Sequence, residues 1–530
     1  MVWAVAIFAA LAAAAQHAAP KGRKADAADA FFSKSPICEL RLEVAAAELE
    51  ALRKEPRQFV KCVLRESGGA RFEGVSVKLK GAAGSFRELD DKPAFTLRMD
   101  KGKKDQRFHG LAKFHLNNSV QDETYLHELL AAELFREAGI PATRVAHARV
   151  KLNDRDLGFY VLKEGFDEHF LARHFLDPRG NLYDGGFCQD IDADLERDEG
   201  DGGESRSDLK GLLGVVQITD SKVRAAQLAQ RLDVQEFVTF MAMEEMLGHW
   251  DGYTINRNNY RLYFDPRSGK SYFIPHGMDQ ILGDPEASIL DPPTALVASA
   301  VQRVAAWRTL YRKRLKELLP LFSPPEKLLA LVKEASARLR PVLAAGNAEA
   351  GVAYDERIAN LRRRIEERAR SLRDQCAAPE PKPISFAGSS IYRPKMWRSA
   401  SESEDAKLTE SRVGGEKLLT IECGPSGSCV ASFRTTALLE RGRYRFMASV
   451  KTEGVVPLPG DEPQQAGAAA RISGEGARER VQATAPWRSL NFDFEVADDA
   501  RPIELVVELR ASKGRALFKV DSLRLQRLGL

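Results

Sequence analysis

The residues "AAPEPKPIS", 377 to 385, constrain this chain more than any other stretch. A proline-rich segment neither continues a helix nor enters the interior of a sheet, so it reads as a linker between separately folding parts. Before it, "DERIANLRRRIEERARSLRDQC" has apolar positions at helical spacing and reads as an exposed helix laced with Arg–Glu ion pairs. After it the helical period disappears. Short alternating runs take over: "KLLTIEC", "CVASFRT", "GRYRFMASVKT", "RSLNFDFEV", "PIELVVELRA" and "RALFKVDSLRLQRL". Alternation with turns between predicts an all-β sandwich over 386–530.

The part before the linker, 31–376, mixes both periods. "EGVSVKLKG", "PAFTLRM" and "LAKFHLN" alternate as half-buried strands do, with the turn-rich "GAAGSFRELDDK" between the first two. "DETYLHELLAAELFREAGIP" follows with helical spacing, Asp122 as N-cap, and Gly139 and Pro141 at its stop. "ARVKLNDRDLGFYVLKEGF" reads as a hairpin turned by "NDRD". Helices dominate from "SKVRAAQLAQRL" and "DVQEFVTFMAMEEMLGHW" onward, with a helical extension from about residue 299. The expected fold class is therefore α+β with added helices, followed by a β-sandwich that resembles jelly-roll, carbohydrate-binding-module-like units in pattern.

Charge excludes some partners. Lys plus Arg number 79 and Asp plus Glu 75, a balance too even to hold nucleic acid or an anionic membrane by its field. The first twenty residues, an apolar run followed by small residues and then "KGRK", suit a signal peptide over 1–20 although no basic residue precedes the run. The expectation is a secreted, periplasmic or cell-surface protein without a transmembrane helix in the mature chain. Six cysteines fit an oxidising compartment. Cys423 with Cys429 reads as a hairpin-tip disulfide and Cys38 with Cys62 as a second, leaving Cys188 and Cys376 as a third or as free thiols. The run "CQDIDADLERDEGDGGESRSD" carries nine acids against two arginines. It lacks the glycine and terminal Glu of a calcium loop and reads as a solvated acidic loop.

The stretch "HWDGYTINRNNYRLYFDPRSGKSYFIPHGMDQILGD", 249–284, reads as two short strands yet carries Asp251, Asn256, Asn258, Asn259 and Asp279, types that strands avoid. Asp251 follows His249 by two residues and precedes Asn256 by five, the spacing of a protein-kinase catalytic loop. Phosphoryl transfer uses a carboxylate to orient the attacking hydroxyl and oxygen donors to hold magnesium against phosphates.

With "KLKGAAGSF", "DKPAFTLRMD", "RFHGLAKFHLNNSVQDETYLHELLAAELFREAGIPATRVAHARVKLNDRDLGFYVLKEGFD" and "GNLYD" ahead of that stretch, the chain resembles the CotH kinase family, named for spore-coat protein H. The resemblance runs from about residue 36 to about 320. It implies an atypical, secreted or coat-associated protein kinase with a diverged kinase-like, two-lobed fold that uses ATP and a divalent metal, Mg²⁺ or Mn²⁺. By resemblance Asp251 is the catalytic residue and Asp279 binds the metal. The metal-binding Asn stays open between Asn259, which matches the family's "N-Y" motif, and Asn256, which fits the kinase spacing. Gly277 stands where the family's "W-D-x-D" signature has its first acid, and His276 where it has the Trp.

Gly81, Gly84 and Ser85 are the candidate phosphate loop. Lys80, Lys92 and Lys113 are the alternatives for the phosphate-facing lysine, with Glu128 as its helix partner. Glu164 stands at the position of an adenine-contacting hinge. The leading expectation is transfer of the ATP γ-phosphate to a hydroxyl of a protein or envelope component. The competing one is a non-catalytic surface scaffold whose sandwich binds polysaccharide. A glycosidase using Asp251 and Asp279 as its carboxylate pair fits less well, since it has no need of clustered asparagines.

Overall fold

The structure, a computed structural model, describes residues 27–529 except 203–204, 346, 380–381, 387–389, 461–464 and 498–499. Segment 1–20, where a signal peptide is expected, lies outside the described residues. The chain divides into two compact units at Ala378 and Pro379.

In the first unit, seven strands close into a barrel: β1 (Ile37–Glu43), β2 (Val60–Glu66), β3 (Arg71–Lys80), β4 (Ala94–Arg98), β5 (Lys113–Asn117), β6 (Val145–Leu152) and β7 (Arg155–Glu164). Their spatial order is β1-β2-β3-β4-β5-β7-β6, with β6 running parallel to β1 to complete the ring. Strand alternation builds the barrel core: Leu40 and Leu42, Val75, Val77 and Leu79, Phe95 and Leu97, Phe114 and Leu116 all turn inward. Strands β3 to β7 match the strand order expected from the pattern, and the hairpin turns at Asn153 (φ 52) within "NDRD". β1 pairs with its sequence neighbour β2 on one side, but its other partner, β6, lies more than a hundred residues on, so only the folded chain reveals the ring.

The helix His127–Glu137 follows β5; its N-cap position is Leu126 rather than the expected Asp122, which lies further back in the preceding turn, although Asp122 Oδ2 still accepts from the His127 amide at 2.9 Å. A second sheet runs β11 (Lys270–Pro275), β10 (Tyr260–Asp265), β8 (Asn181–Asp184), β9 (Glu196–Glu199). Behind it the helix Val234–Leu247 is buried on nearly every face, among Phe273, Tyr253 and Leu262. Asp233 caps its start, accepting from Glu236 N at 3.2 Å, and Gly248 (φ 60) ends it in the left-handed turn that leads to His249.

Two expectations change here. The final helix of this unit, Ala348–Ala377, is not simply exposed. Arg368 on it is 1% exposed and donates to the carbonyls of Glu245 (2.6 Å), Met246 (3.0 Å) and Pro285 (3.0 Å). A cation set on the last carbonyls of the Val234–Leu247 helix favours its C-terminal dipole and fixes the segment that follows. The acidic run is solvated only in part, with Asp192, Asp194, Glu196 and Asp201 exposed. Asp190 is buried and accepts from Leu296 N (2.7 Å), Ile191 N (2.7 Å) and Tyr253 Oη (3.0 Å), while 196–199 form β9. Arginines distant in sequence, Arg98 and Arg261, take up Glu199 and Asp198.

The second unit is the predicted sandwich. One sheet is ordered Ile391–Tyr392, Arg524–Gly529, Gly442–Val456, Lys513–Lys519, Glu416–Glu422, Lys407–Val413, with Ala483–Val496 also paired to Gly442–Val456. The other is ordered Arg398–Ser401, Cys429–Leu439, Arg501–Ala511, Gly467–Ile472, Arg480–Val481. Phe446, Phe492, Phe518, Leu505 and Leu509 from the two sheets share one core. All six runs read from sequence as strands lie in these sheets.

The six cysteines are thiols. Cys423 and Cys429 are close enough for their thiols to interact. Cys38 and Cys62 do not face each other: Leu40 stands opposite Glu66 and Leu42 opposite Leu64, so the two positions are offset along β1 and β2. Cys188 lies against Asn256, and Cys376 is buried on the Ala348–Ala377 helix. No helix among the described residues is long and apolar enough to cross a membrane.

Candidate functional site

The strands of 249–284 do avoid the polar residues. Asp251 precedes a short helical turn (Tyr253–Asn256), Asn258 and Asn259 sit just before β10, and Asp279 lies just after β11. Asp251 is gripped by three asparagine amides. Asn256 Nδ2 donates to Oδ1 at 2.5 Å, Asn258 Nδ2 to both oxygens at 3.1 Å, and Asn259 Nδ2 to Oδ2 at 2.9 Å. Positive φ at Arg257 (53°) and Asn259 (52°) folds the chain back so that these side chains converge; asparagine tolerates that region better than most residues.

The turn is held from behind by Glu244, which sequence reasoning passed over. Its carboxylate accepts from Tyr253 N (3.0 Å) and Thr254 N (2.8 Å), capping the short helix. His249 stands 3.7 Å from Glu244 and donates toward Gly277 O at 3.2 Å. Burial opposes protonation of His249, and Glu244 outweighs it, raising its pKa.

A cleft of about 350 Å³ lies between the barrel and the second sheet, within the roughly 300–1,000 Å³ of small-ligand pockets. Lys80, Asn117, Asp251, Asn259 and Asp279 all line it. Behind the wall runs a chain of contacts: Lys80 Nζ donates to Asn117 Oδ1 (2.5 Å), Asn117 Nδ2 to Glu128 Oε1 (3.2 Å), and Lys163 Nζ to the same Glu128 oxygen (2.6 Å). Glu128 therefore has a lysine partner, but it is Lys163 of β7. Lys163 went unnoticed because it reads as an ordinary alternating strand residue. Burial, then the neighbouring Lys163, lower the Lys80 pKa to about 8.

Asp279 carries no hydrogen bond to its carboxylate among the described residues; burial, then Glu128, raise its pKa against Lys163 and Lys80. His127 fixes its backbone, with Nδ1 at 2.7 Å from Asp279 O. Sequence reading missed this too, although the neighbouring Glu128 placed the same helix at the site.

The remaining candidates divide. Gly81 and Ser85 line the cleft, and Gly84 sits beside Gln121 outside it. Gly81 (φ 106) is required, since a Cβ there would come within 3.0 Å of Phe86 backbone atoms. Three loop amides are spent inside the loop: Ala82 N on Ser85 Oγ, and Ser85 N and Phe86 N on Ala82 O. Lys113 lines the cleft, but its ammonium donates to Phe166 O at 2.9 Å. Lys92 is outside the cleft, over the rings of Tyr125 and Tyr160. Glu164 is outside as well, buried between Arg144 and Arg173, which hold its pKa down to about 2 against burial. Asn259 faces the cleft, whereas Asn256 lies behind Asp251, beside Cys188.

Arg261 of β10 closes the opposite wall, paired with Asp184 (2.7 Å) and Asp198 (3.0 Å). No group of three or more His, Cys, Asp and Glu able to hold a metal exists among the described residues. The donors present are the Asp279 carboxylate and the Asn259 amide oxygen, which fit a magnesium ion that keeps waters and substrate oxygens for its other positions.

The first unit is thus an α+β body whose charged cleft gathers two acids and an asparagine cage, with a buried Lys–Glu pair behind it. The chain belongs to the CotH family: the family described as CotH kinase protein matches residues 77–372. It is 25% identical over 191 residues to the inner spore coat protein H of Bacillus subtilis (strain 168), covering 33% of this chain and 51% of that protein. It is 26% identical over 203 residues to invasin CotH7 of Rhizopus delemar, covering 34% of this chain and 33% of the relative. The chain thus spans about half the length of the first relative and a third of the second. Among solved structures, TmCBM61 in complex with β-1,4-galactotriose is similar at a TM-score of 0.18 and 17% identity, over 25% of this chain and 88% of that one. A structure titled "CBM4 structure and function" is similar at a TM-score of 0.17 and 19% identity, over 23% of this chain and 77% of that one.

Proposed function

We propose that this protein is a secreted atypical kinase that transfers the γ-phosphate of ATP to a hydroxyl of a protein or envelope component. The observation that carries the reading is the convergence of Lys80, Asp251 and Asp279 on one cleft, with Glu128 and Lys163 behind it. Lys80 meets the phosphates, and the Glu128–Lys163 pair holds Asn117 and through it Lys80. Asp251, immobilised by its asparagines, orients the acceptor hydroxyl and receives its proton, and ADP leaves. Mg²⁺ or Mn²⁺, held by Asp279 and Asn259, supplies neutralisation of phosphate charge. The likeness to a spore coat protein supports a place at the cell surface or coat.

One observation favours a second reading, a non-catalytic surface scaffold. Gly277 offers no carboxylate, and a Cβ there would collide with Asn259 Oδ1, so the space for a first acid is already filled.

The experiment is phosphate transfer by residues 21–530 from labelled ATP with Mg²⁺ or Mn²⁺, beside Asp251→Ala and Asp279→Ala. Transfer abolished in both variants supports the kinase. Absence of transfer, with no thermal shift by nucleotide in any of the three proteins, supports the scaffold.

A further inference from the structure

The outward face of the five-stranded sheet in the second unit is recessed. A solvated sheet face exposes its side chains, yet here Ser432 is 3% and Ala469 0% exposed. Both stand directly opposite Glu508 in the ladder, so the three share that outer face. Small residues at the centre and long ones at the flanks leave a trench of about 500 Å³. Three strands at roughly 4.8 Å spacing give a floor about 10 Å wide, enough for a sugar ring and open along its length for a chain.

The charges are arranged unequally. Glu508 is shared by Arg471 and Arg480, each at 2.7 Å, and Glu504 by Arg398 (2.6 Å) and Arg434 (3.1 Å). Four guanidiniums thus meet two carboxylates on this face. Arg480 Nε is buried without a hydrogen-bond partner among the described residues. Glu402 and Glu475 stand exposed at the trench margin and offset the excess of arginine, so recognition rests on individual N–H groups rather than on net charge. Among the described residues no aromatic side chain lines the trench, so a neutral sugar finds no ring to stack on there.

We propose that this trench binds an acidic polysaccharide whose sugar rings carry carboxylates. Glu504, Glu508, Ser432 and backbone carbonyls take up most of the guanidinium nitrogens of Arg434, Arg471 and Arg480; among the described residues Arg434 Nη2, Arg471 Nε and Arg480 Nε remain to meet carboxylate oxygens, and the spare lone pairs of Glu508 meet ring hydroxyls. The inference is independent of phosphotransfer.

The test is calorimetric titration of the full chain with oligogalacturonate, its fully methyl-esterified form and a single-stranded oligonucleotide of equal charge. Binding of the acid form, weakened about tenfold by esterification and by either Arg471→Gln or Arg434→Gln, supports the site. A folding-independent measurement accompanies it on the wild type: modification of arginines by phenylglyoxal, read by mass spectrometry, with Arg434, Arg471 and Arg480 shielded by oligogalacturonate. Absence of binding, equal binding of the ester or the oligonucleotide, or shielding confined to arginines of the first unit overturns it.

Discussion

Lys163 Nζ stands 2.6 Å from Glu128 Oε1, with the two side chains 0% and 2% exposed. Strand β7 and the helix after β5 are thereby joined by a charge pair sealed from water. Removing one partner leaves the other as an uncompensated buried charge, so Lys163→Met is expected to lose about 3–5 kcal/mol. The double variant Lys163→Met/Glu128→Leu is expected to recover much of that loss. Urea unfolding of the single and double variants measures both, and a single variant as stable as the wild type would refute a sealed pair.

Lys80 gives the cleft its pH dependence. Burial and then Lys163 lower its pKa from 10.5 to about 8 in the folded protein. Between those values the unfolded chain holds the extra proton, so this group's contribution makes the protein more stable as pH rises across that window. Binding of an anion works in the opposite sense: affinity is expected to decline as pH passes about 8, well below the usual lysine range. Titration of a fluorescent ATP analogue across that window checks it, and the decline should vanish in Lys80→Gln.

Restoring the family's acid at position 277 should not create a better site. Gly277 has φ 53° and its missing Cβ is the space occupied by Asn259 Oδ1. Gly277→Asp is expected to cost roughly 1–3 kcal/mol from backbone strain, besides displacing Asn259 from Asp251. Thermal unfolding reads the loss. A variant with unchanged melting temperature and increased phosphate transfer would show that the loop adapts.

Asp190 is the hinge of the acidic segment. Asp190→Ala leaves Tyr253 Oη and the Leu296 amide without their acceptor, and the expected cost is about 1–3 kcal/mol. Hydrogen exchange should rise at Leu296 and around Tyr253. Exchange unchanged at both would mean that the carboxylate does not secure this junction.

Much of the site could be read from residue types and spacing. The Asp251 and Asn cluster stood out because strands reject such residues, and Asp279 and Glu128 followed from the family resemblance. The choice among lysines could not be made that way. Lys80, Lys92 and Lys113 each occupy a strand or strand end, and whether an ammonium faces a cleft, a tyrosine or a backbone carbonyl depends on neighbours far along the chain. Arg261, Asp184 and Asp198 were likewise invisible, since their pairing joins β10 to β8 and to the acidic run across more than sixty positions.

Local periodicity alone determined the strands β3 to β7, the hairpin at Asn153, the helix carrying Glu128 and the division into a mixed body and a sandwich. These follow from side-chain alternation and turn chemistry acting over a few residues. Tertiary structure decided the barrel closure by β1 against β6, the pairing of Lys163 with Glu128, and which acids of the partly solvated run become structural counter-ions. Each depends on which distant groups exclude water from one another, and burial of that kind has no period in the sequence.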